Sequence, residues 1–153
     1  MDQVISPIPQ GFHTITPFMI VDNAHKALKF YQDAFDAQVI KAFVINENEI
    51  IHAQLKVGDS IIMLAQKHPD MAISEQNGTH HPISFMVYVE NVDVLFKHLK
   101  KFDIQIIQDI TDQFYGDRTA TILDPYGHIW TVGSRIENIT DNDLKKRIQT
   151  LLH

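Results

Sequence analysis

Three side chains carry most of the chemistry open to this sequence: His52, Gln54 and Arg118. In the stretch from Ile51 to Val57, the apolar Ile51, Ala53, Leu55 and Val57 alternate with His52, Gln54 and Lys56. Alternation of that kind gives a strand one apolar face and one polar face. An imidazole on the polar face can act as a general base near neutral pH. The neighbouring carboxamide can donate and accept. Arg118 follows Tyr115-Gly116-Asp117 at the mouth of a second stretch, YGDRTATILDPYGHIWTV. Its planar fork suits a carboxylate or phosphate on a ligand. An equal alternative has Arg118 salt-bridging Asp117 or another acid and merely pinning the hairpin. Two further imidazoles, His80 and His81, stand in a polar loop and could converge with His52 and Gln54 on a relocated divalent metal. The remaining histidines are scattered, and no HExxH spacing occurs.

These side chains need strands to hold them. Residues 118–123 and 128–134 read as two strands joined by Asp124-Pro125-Tyr126-Gly127. Asp first, Pro second and Gly fourth is the chemistry of a type I turn. Upstream, residues 13–21 predict a strand, with Pro17 marking an edge position or a bulge. Asp22 or Asn23 then caps a helix whose Ala24, Ala27, Leu28, Tyr31 and Phe35 share one face. Strands are expected at 38–45, 51–57 and 60–65, and the polar residues 66–81 form a linker or lid. The pattern then restarts: a strand at 83–89, a cap at Glu90-Asn91, and a helix with Val92, Leu95, Phe96, Leu99 and Phe102 on one face. Another strand follows at about 104–110, and an amphipathic segment from Asp141 to Leu152 closes the chain.

Composition narrows the function classes. The chain has 153 residues, 44% apolar, and a net charge of −6, ordinary for a single globular domain. Its 13 Lys and Arg form no basic stripe, so nucleic acid is not an expected partner. It has no cysteine, which removes disulfides and thiolate metal sites. The first residues lack the basic and apolar regions of a signal peptide, and no apolar run reaches bilayer length. A cytoplasmic protein with no membrane partner is expected.

The restart is an internal repeat. Placing Val21-Asp22-Asn23 on Val89-Glu90-Asn91 sets an offset of 68 residues (89 less 21). Without a gap, the same offset carries the first helix face onto the second, and Ile61, Ile62 and Met63 onto Ile129, Trp130 and Thr131. It also carries Ile50, His52 and Gln54 onto Arg118, Ala120 and Ile122, which would point Arg118 the same way as His52. Two copies of a βαβββ unit in so short a chain imply that each needs help to bury its sheet.

Paired βαβββ units resemble the vicinal oxygen chelate superfamily, which includes glyoxalase I, bleomycin-resistance proteins and extradiol dioxygenases. The resemblance is carried by VDNAHKALKFYQDAF, by HAQLKVGDSIIML and by YGDRTATILDPYGHIW. The last string is similar to the PhnB-like branch. The resemblance implies an α+β fold: two βαβββ modules, residues 13–66 and 82–136, forming a curved eight-stranded mixed sheet around a cleft, helices outside. Residues 137–153 would be a helical tail. The superfamily's four metal positions fall here on Thr16, Met63, Ser84 and Thr131, in two pairs related by the repeat. Alcohols and a thioether are not the imidazole and carboxylate that bind such ions, so no metal and no other cofactor is expected. If those positions point inward, strand alternation brings Phe18, Met86 and Tyr88 with them, beside His52, Gln54, Tyr115 and Arg118. Trp130, of opposite parity to Thr131, should pack against the helices. The resulting expectation is a homodimer that binds a small organic molecule in its cleft without chemistry, the acidic charge suiting a cation. The alternative is a lyase, isomerase or dioxygenase-type enzyme using His52 and Arg118 as catalytic residues, or a relocated metal.

Overall fold

Residues 6–46, 49–68 and 83–151 are described by the structure, a computed structural model; His80, His81 and most of the expected linker lie outside them. The first unit contains β1 (Phe18–Val21), α1 (Ala24–Phe35), β2 (Gln38–Asn46), β3 (Glu49–Val57) and β4 (Ser60–Gln66). The second contains β5 (Phe85–Tyr88), α2 (Val92–Leu99), β6 (Gln105–Asp112), β7 (Asp117–Leu123), β8 (Ile129–Arg135) and α3 (Asp141–Leu151). The strands are hydrogen-bonded as two mixed sheets of four, ordered β1-β4-β3-β2 and β5-β8-β7-β6. In each, the first pair is parallel and the others antiparallel. The α+β class and the two βαβββ units are those the sequence implied.

Each helix covers one face of its own sheet. On α1, the expected Ala24, Ala27, Leu28, Tyr31 and Phe35 are all buried, joined by Phe30 and Ala34. They pack toward Ala53, Leu55, Ile62 and Leu64, alternate residues of β3 and β4 that are also buried. On α2, Val92, Phe96 and Leu99 are buried over Ala120, Ile122, Trp130 and Val132. Trp130 thus packs on the helix side, its ring 4.9 Å from that of Phe85. Each buried Leu, Phe or Ile contributes about 2 kcal/mol of transfer free energy. α2 ends at Leu99, so Phe102 sits in the turn beyond it.

The two helices start in the same way. Asn23 accepts from the Lys26 N–H at 3.0 Å, and Asn91 from the Val94 N–H at 3.2 Å. The first helical N–H of each is taken by a side chain at the end of the last strand. Ala24 N–H donates to Gln66 Oε1 at 2.7 Å, and Val92 N–H to Ser134 Oγ at 2.9 Å. Gln66 also donates to the Asp22 carbonyl, and Ser134 Oγ to the Val89 carbonyl. Gln66 and Ser134 are 68 residues apart (134 less 66), as are Ala24 and Val92. Orphan donors at a helix N-terminus are satisfied twice by one device.

The first strand is shorter than expected, starting at Phe18 rather than residue 13. Pro17 has no N–H for a ladder, although its carbonyl accepts from Met63 N–H at 2.9 Å. β1 is an edge strand, as that proline implied. The Asp124 turn forms, with Gly127 N–H donating to the Asp124 carbonyl at 3.3 Å. The Asp124 side chain is buried. Its Oδ1 accepts from the N–H groups of Tyr126 and His128, and its Oδ2 from Trp130 Nε1 at 2.9 Å. Among the described residues no helix is long and apolar enough to cross a membrane.

Candidate functional site

The face of the first sheet that α1 leaves uncovered carries most of the side chains expected there. Gln54 lies opposite Met63, and His52 opposite Ala65. Phe18 is beside Met63 on β1. The His52 ring is 5.7 Å from that of Phe18 and 5.6 Å from that of Phe43, its partner across β2. Imidazole and two phenyl rings form one partly exposed cluster. Lys41, opposite Gln54, places its Nζ 5.0 Å from the Phe43 centroid. Phe43 and Lys41 were not legible because β2 is irregular: the pairing slips at Ile40 and again after Phe43, which resets the parity of the strand.

On the second sheet, the face away from α2 carries Met86 and Tyr88 of β5, beside Thr131 and Gly133 of β8. Thr131 Oγ1 shares a 3.0 Å hydrogen bond with Thr121 Oγ1. Thr119, opposite Gly133, accepts from Gln113 Nε2 at 2.9 Å. A side chain at Gly133 would start 2.7 Å from Met86 Cε, so the glycine leaves that methionine its place on the sheet. The Tyr88 hydroxyl donates to Asp117 Oδ2 at 2.7 Å. Asp117 is fully buried, and Arg135 Nε lies 3.4 Å from its other oxygen. The Tyr88 phenol is pushed above its ordinary pKa, first by the bond to Asp117, then by burial and by the carboxylate charge; Arg135 partly offsets this.

Arg118 turns the opposite way from the sequence expectation. It pairs with Ser134 across the ladder, on the parity of Ala120 and Ile122, the helix side. There it donates to Asp93 of α2 at 3.0 Å and to Asp112 of β6 at 2.6 Å. The residue facing the way His52 faces is Thr119, not Arg118 or Ala120. The cause is one residue. Four residues separate the paired Lys56 and Ile61, but five separate the paired Leu123 and Ile129. A slip of one reverses every side chain of a strand. Arg118 is paired with acids, Asp93 and Asp112, and not with Asp117. Sequence reasoning did not single out Asp117 or Arg135; counting the loop through His128 would have placed Asp117 on the face away from α2.

The other expected site residues are more scattered. Tyr115 sits in the turn before β7, its ring edge-on to Phe114. The next residue, Gly116, has φ of +95° and would drive a Cβ to 2.7 Å from the Glu137 carbonyl, so only glycine fits. Thr16 precedes β1 and donates to the His13 carbonyl at 3.3 Å. Ser84 precedes β5 and is exposed.

Residues 11–132 match the family model described as the Glyoxalase/Bleomycin resistance protein/Dioxygenase superfamily. The chain belongs to that superfamily. An uncharacterized protein of Mycobacterium bovis is 27% identical over 137 residues, 86% of this chain and 89% of the relative. Among solved structures, TioX from Micromonospora sp. ML1 matches with a TM-score of 0.64 at 21% identity, covering 84% of this chain and 100% of TioX. The PhnB protein from Bacillus cereus matches with a TM-score of 0.61 at 21% identity, covering 80% and 99%. These two likenesses concern the fold, and the second is consistent with the PhnB-like string.

The family resemblance implies His, Gln or Glu as donors at the four metal positions. Thr16, Met63, Ser84 and Thr131 offer three alcohols and a thioether, and the Thr16 and Thr131 hydroxyls are engaged within their own units. Those residues do not fit a divalent transition-metal ion. Among the described residues no group of three His, Asp or Glu side chains is placed to hold one elsewhere.

Proposed function

We propose that the protein binds a small organic molecule with a flat apolar body, without the superfamily's metal ion. The observation that carries this is the His52 ring between Phe18 and Phe43, partly exposed on the sheet face opposite α1. Aromatic surface with a few polar groups is the usual make-up of a small-molecule site. Gln54 and Met63 border the cluster and supply a carboxamide and a soft apolar surface. On the second unit, taken by itself, Ser84, Met86, Tyr88, Tyr115 and Thr131 are proposed as ligand-binding residues. Among the described residues no acid or hydroxyl is paired with His52, whose ring neighbours are Phe18 and Phe43, so we favour binding over general-base catalysis.

Titration of the purified protein with 2-naphthamide and with bleomycin, followed by calorimetry, tests the proposal. Saturable binding is expected, weakened about tenfold in Phe18→Ala. No saturable binding to either compound, or binding indifferent to Phe18→Ala and His52→Ala alike, would overturn it. Elemental analysis should find no stoichiometric transition metal. A bound metal that disappears in His52→Ala would instead support the lyase, isomerase or dioxygenase alternative. On the same proposal the protein works as a cytoplasmic homodimer; a monomer in sedimentation velocity would remove the dimer.

A further inference from the structure

We propose that Arg135 holds an anionic headgroup of the ligand, a carboxylate, phosphate or phosphonate, and that Asp117 and Tyr88 aim it. The inference rests on the small-molecule binding proposed above for the residues of the second unit, and adds the chemical class of the ligand. The chain has three arginines, Arg118, Arg135 and Arg147. A guanidinium keeps its charge at any working pH and presents a rigid donor fork. Arg118 is committed to Asp93 and Asp112. Arg147 is committed to Glu137 and the Phe114 carbonyl. Arg135 has a different environment. Its one acid is Asp117, whose Oδ2 already accepts the Tyr88 hydroxyl. Apart from Asp117 and Tyr88, no described residue pairs with it, and its side chain is 56% exposed.

Asp117 supplies the second observation. Its Oδ1 is buried and lacks a hydrogen bond. Arg135 Nε stands 3.4 Å away, beyond the usual range for an N–H donor to an oxygen. A buried acceptor left unmade is costly, and a small inward shift of Nε would satisfy it. With Nε on the carboxylate, the two Nη groups of the exposed fork are left to take an oxyanion through two parallel bonds. Asp117 is therefore a positioning residue, and the phenol that bonds its other oxygen fixes the carboxylate plane. Tyr88 and Met86, exposed by 59% and 41%, lie on the same sheet face and can support an apolar body next to the charge.

The test uses three probes with one ring system: 2-naphthoate, 2-naphthyl phosphate and the neutral 2-naphthamide. With the wild-type protein, at least one anion should bind more tightly than the amide, and the better of the two identifies the headgroup. Arg135→Ala should weaken that anion about tenfold or more while leaving the amide within about twofold. Arg135→Lys should recover only part of the loss, because the charge returns without the fork. Asp117→Asn should lower the anion-to-amide affinity ratio, which a merely structural role would leave unchanged. If the amide binds and Arg135→Ala affects all three probes equally or none, Arg135 is not the anchor and the inference fails while the binding proposal stands. If no naphthyl probe binds the wild-type protein the inference fails, and if bleomycin does not bind either, the binding proposal fails with it.

Discussion

The β3–β4 and β7–β8 hairpins occupy the same place in two copies of one unit, yet they present different chemistry. The first turns through Gly58 and Asp59, with Val57 paired to Ser60 and Gly58 at φ of +57°. Both turn residues are exposed. The second turns through five residues around the buried Asp124 carboxylate. The extra residue reverses β7 relative to β3. Where the first copy displays His52 and Gln54, the second displays Thr119 and Thr121, with Asp117 one step further along. The helix ends did not diverge in this way, since Gln66 and Ser134 still latch the first turn of α1 and α2. Selection on a packed helix start is selection on hydrogen bonds that cannot be left unmade, whereas an exposed hairpin end is free to change length.

The comparison breaks most easily at the turns. Asp124→Ala leaves the Trp130 indole N–H and two backbone N–H groups without their acceptor and should cost about 3 kcal/mol. Asp59→Ala should stay within about 0.5 kcal/mol. Urea unfolding of both variants decides the matter, and equal costs would mean the two turns bear the same load. The latches should behave alike instead. Ser134→Ala and Gln66→Ala each strand a helix N–H, and each should lose about 1–2 kcal/mol; a latch that costs nothing would end the equivalence.

Smaller effects sit at the titrating groups of the second copy. Arg118 holds the Asp112 carboxyl below its ordinary pKa through a direct hydrogen bond. Its contribution to stability is thus present above the unfolded value of about 3.9 and fades as pH falls through the lowered one. Arg118→Ala should raise the Asp112 titration in carbon-detected NMR. At the alkaline end the sign reverses. The Tyr88 phenol is raised by its bond to Asp117, so that contribution is present below the unfolded tyrosine value of about 10 and lost as pH rises through the raised one. Asp117→Asn should bring the Tyr88 titration down, and a titration that does not move would detach the phenol from the carboxylate.

The sequence made much of this visible in advance. Helix faces, the Asn23 and Asn91 caps, the Asp124 turn and the helix-side position of Trp130 all follow from local periodicity and turn chemistry. Met63, Gln54 and His52 share a face because their alternation runs uninterrupted to a two-residue turn. Arg118 did not follow, because an ungapped repeat cannot register a residue added inside a turn. Phe43 was hidden by the bulges of β2. Arg135 was hidden because its importance is relative: only the pairings of Arg118 and Arg147 show which guanidinium is left with a single, shared acid.

One added position between Leu123 and Ile129 separates the second hairpin from the first. In genetic terms that is a single in-frame codon. Gaining or losing it exchanges the displayed half of a seven-residue strand for the concealed half without altering a single letter of that strand. Where both halves tolerate either environment, a duplicated gene can acquire a new recognition surface in one event rather than by a series of point substitutions.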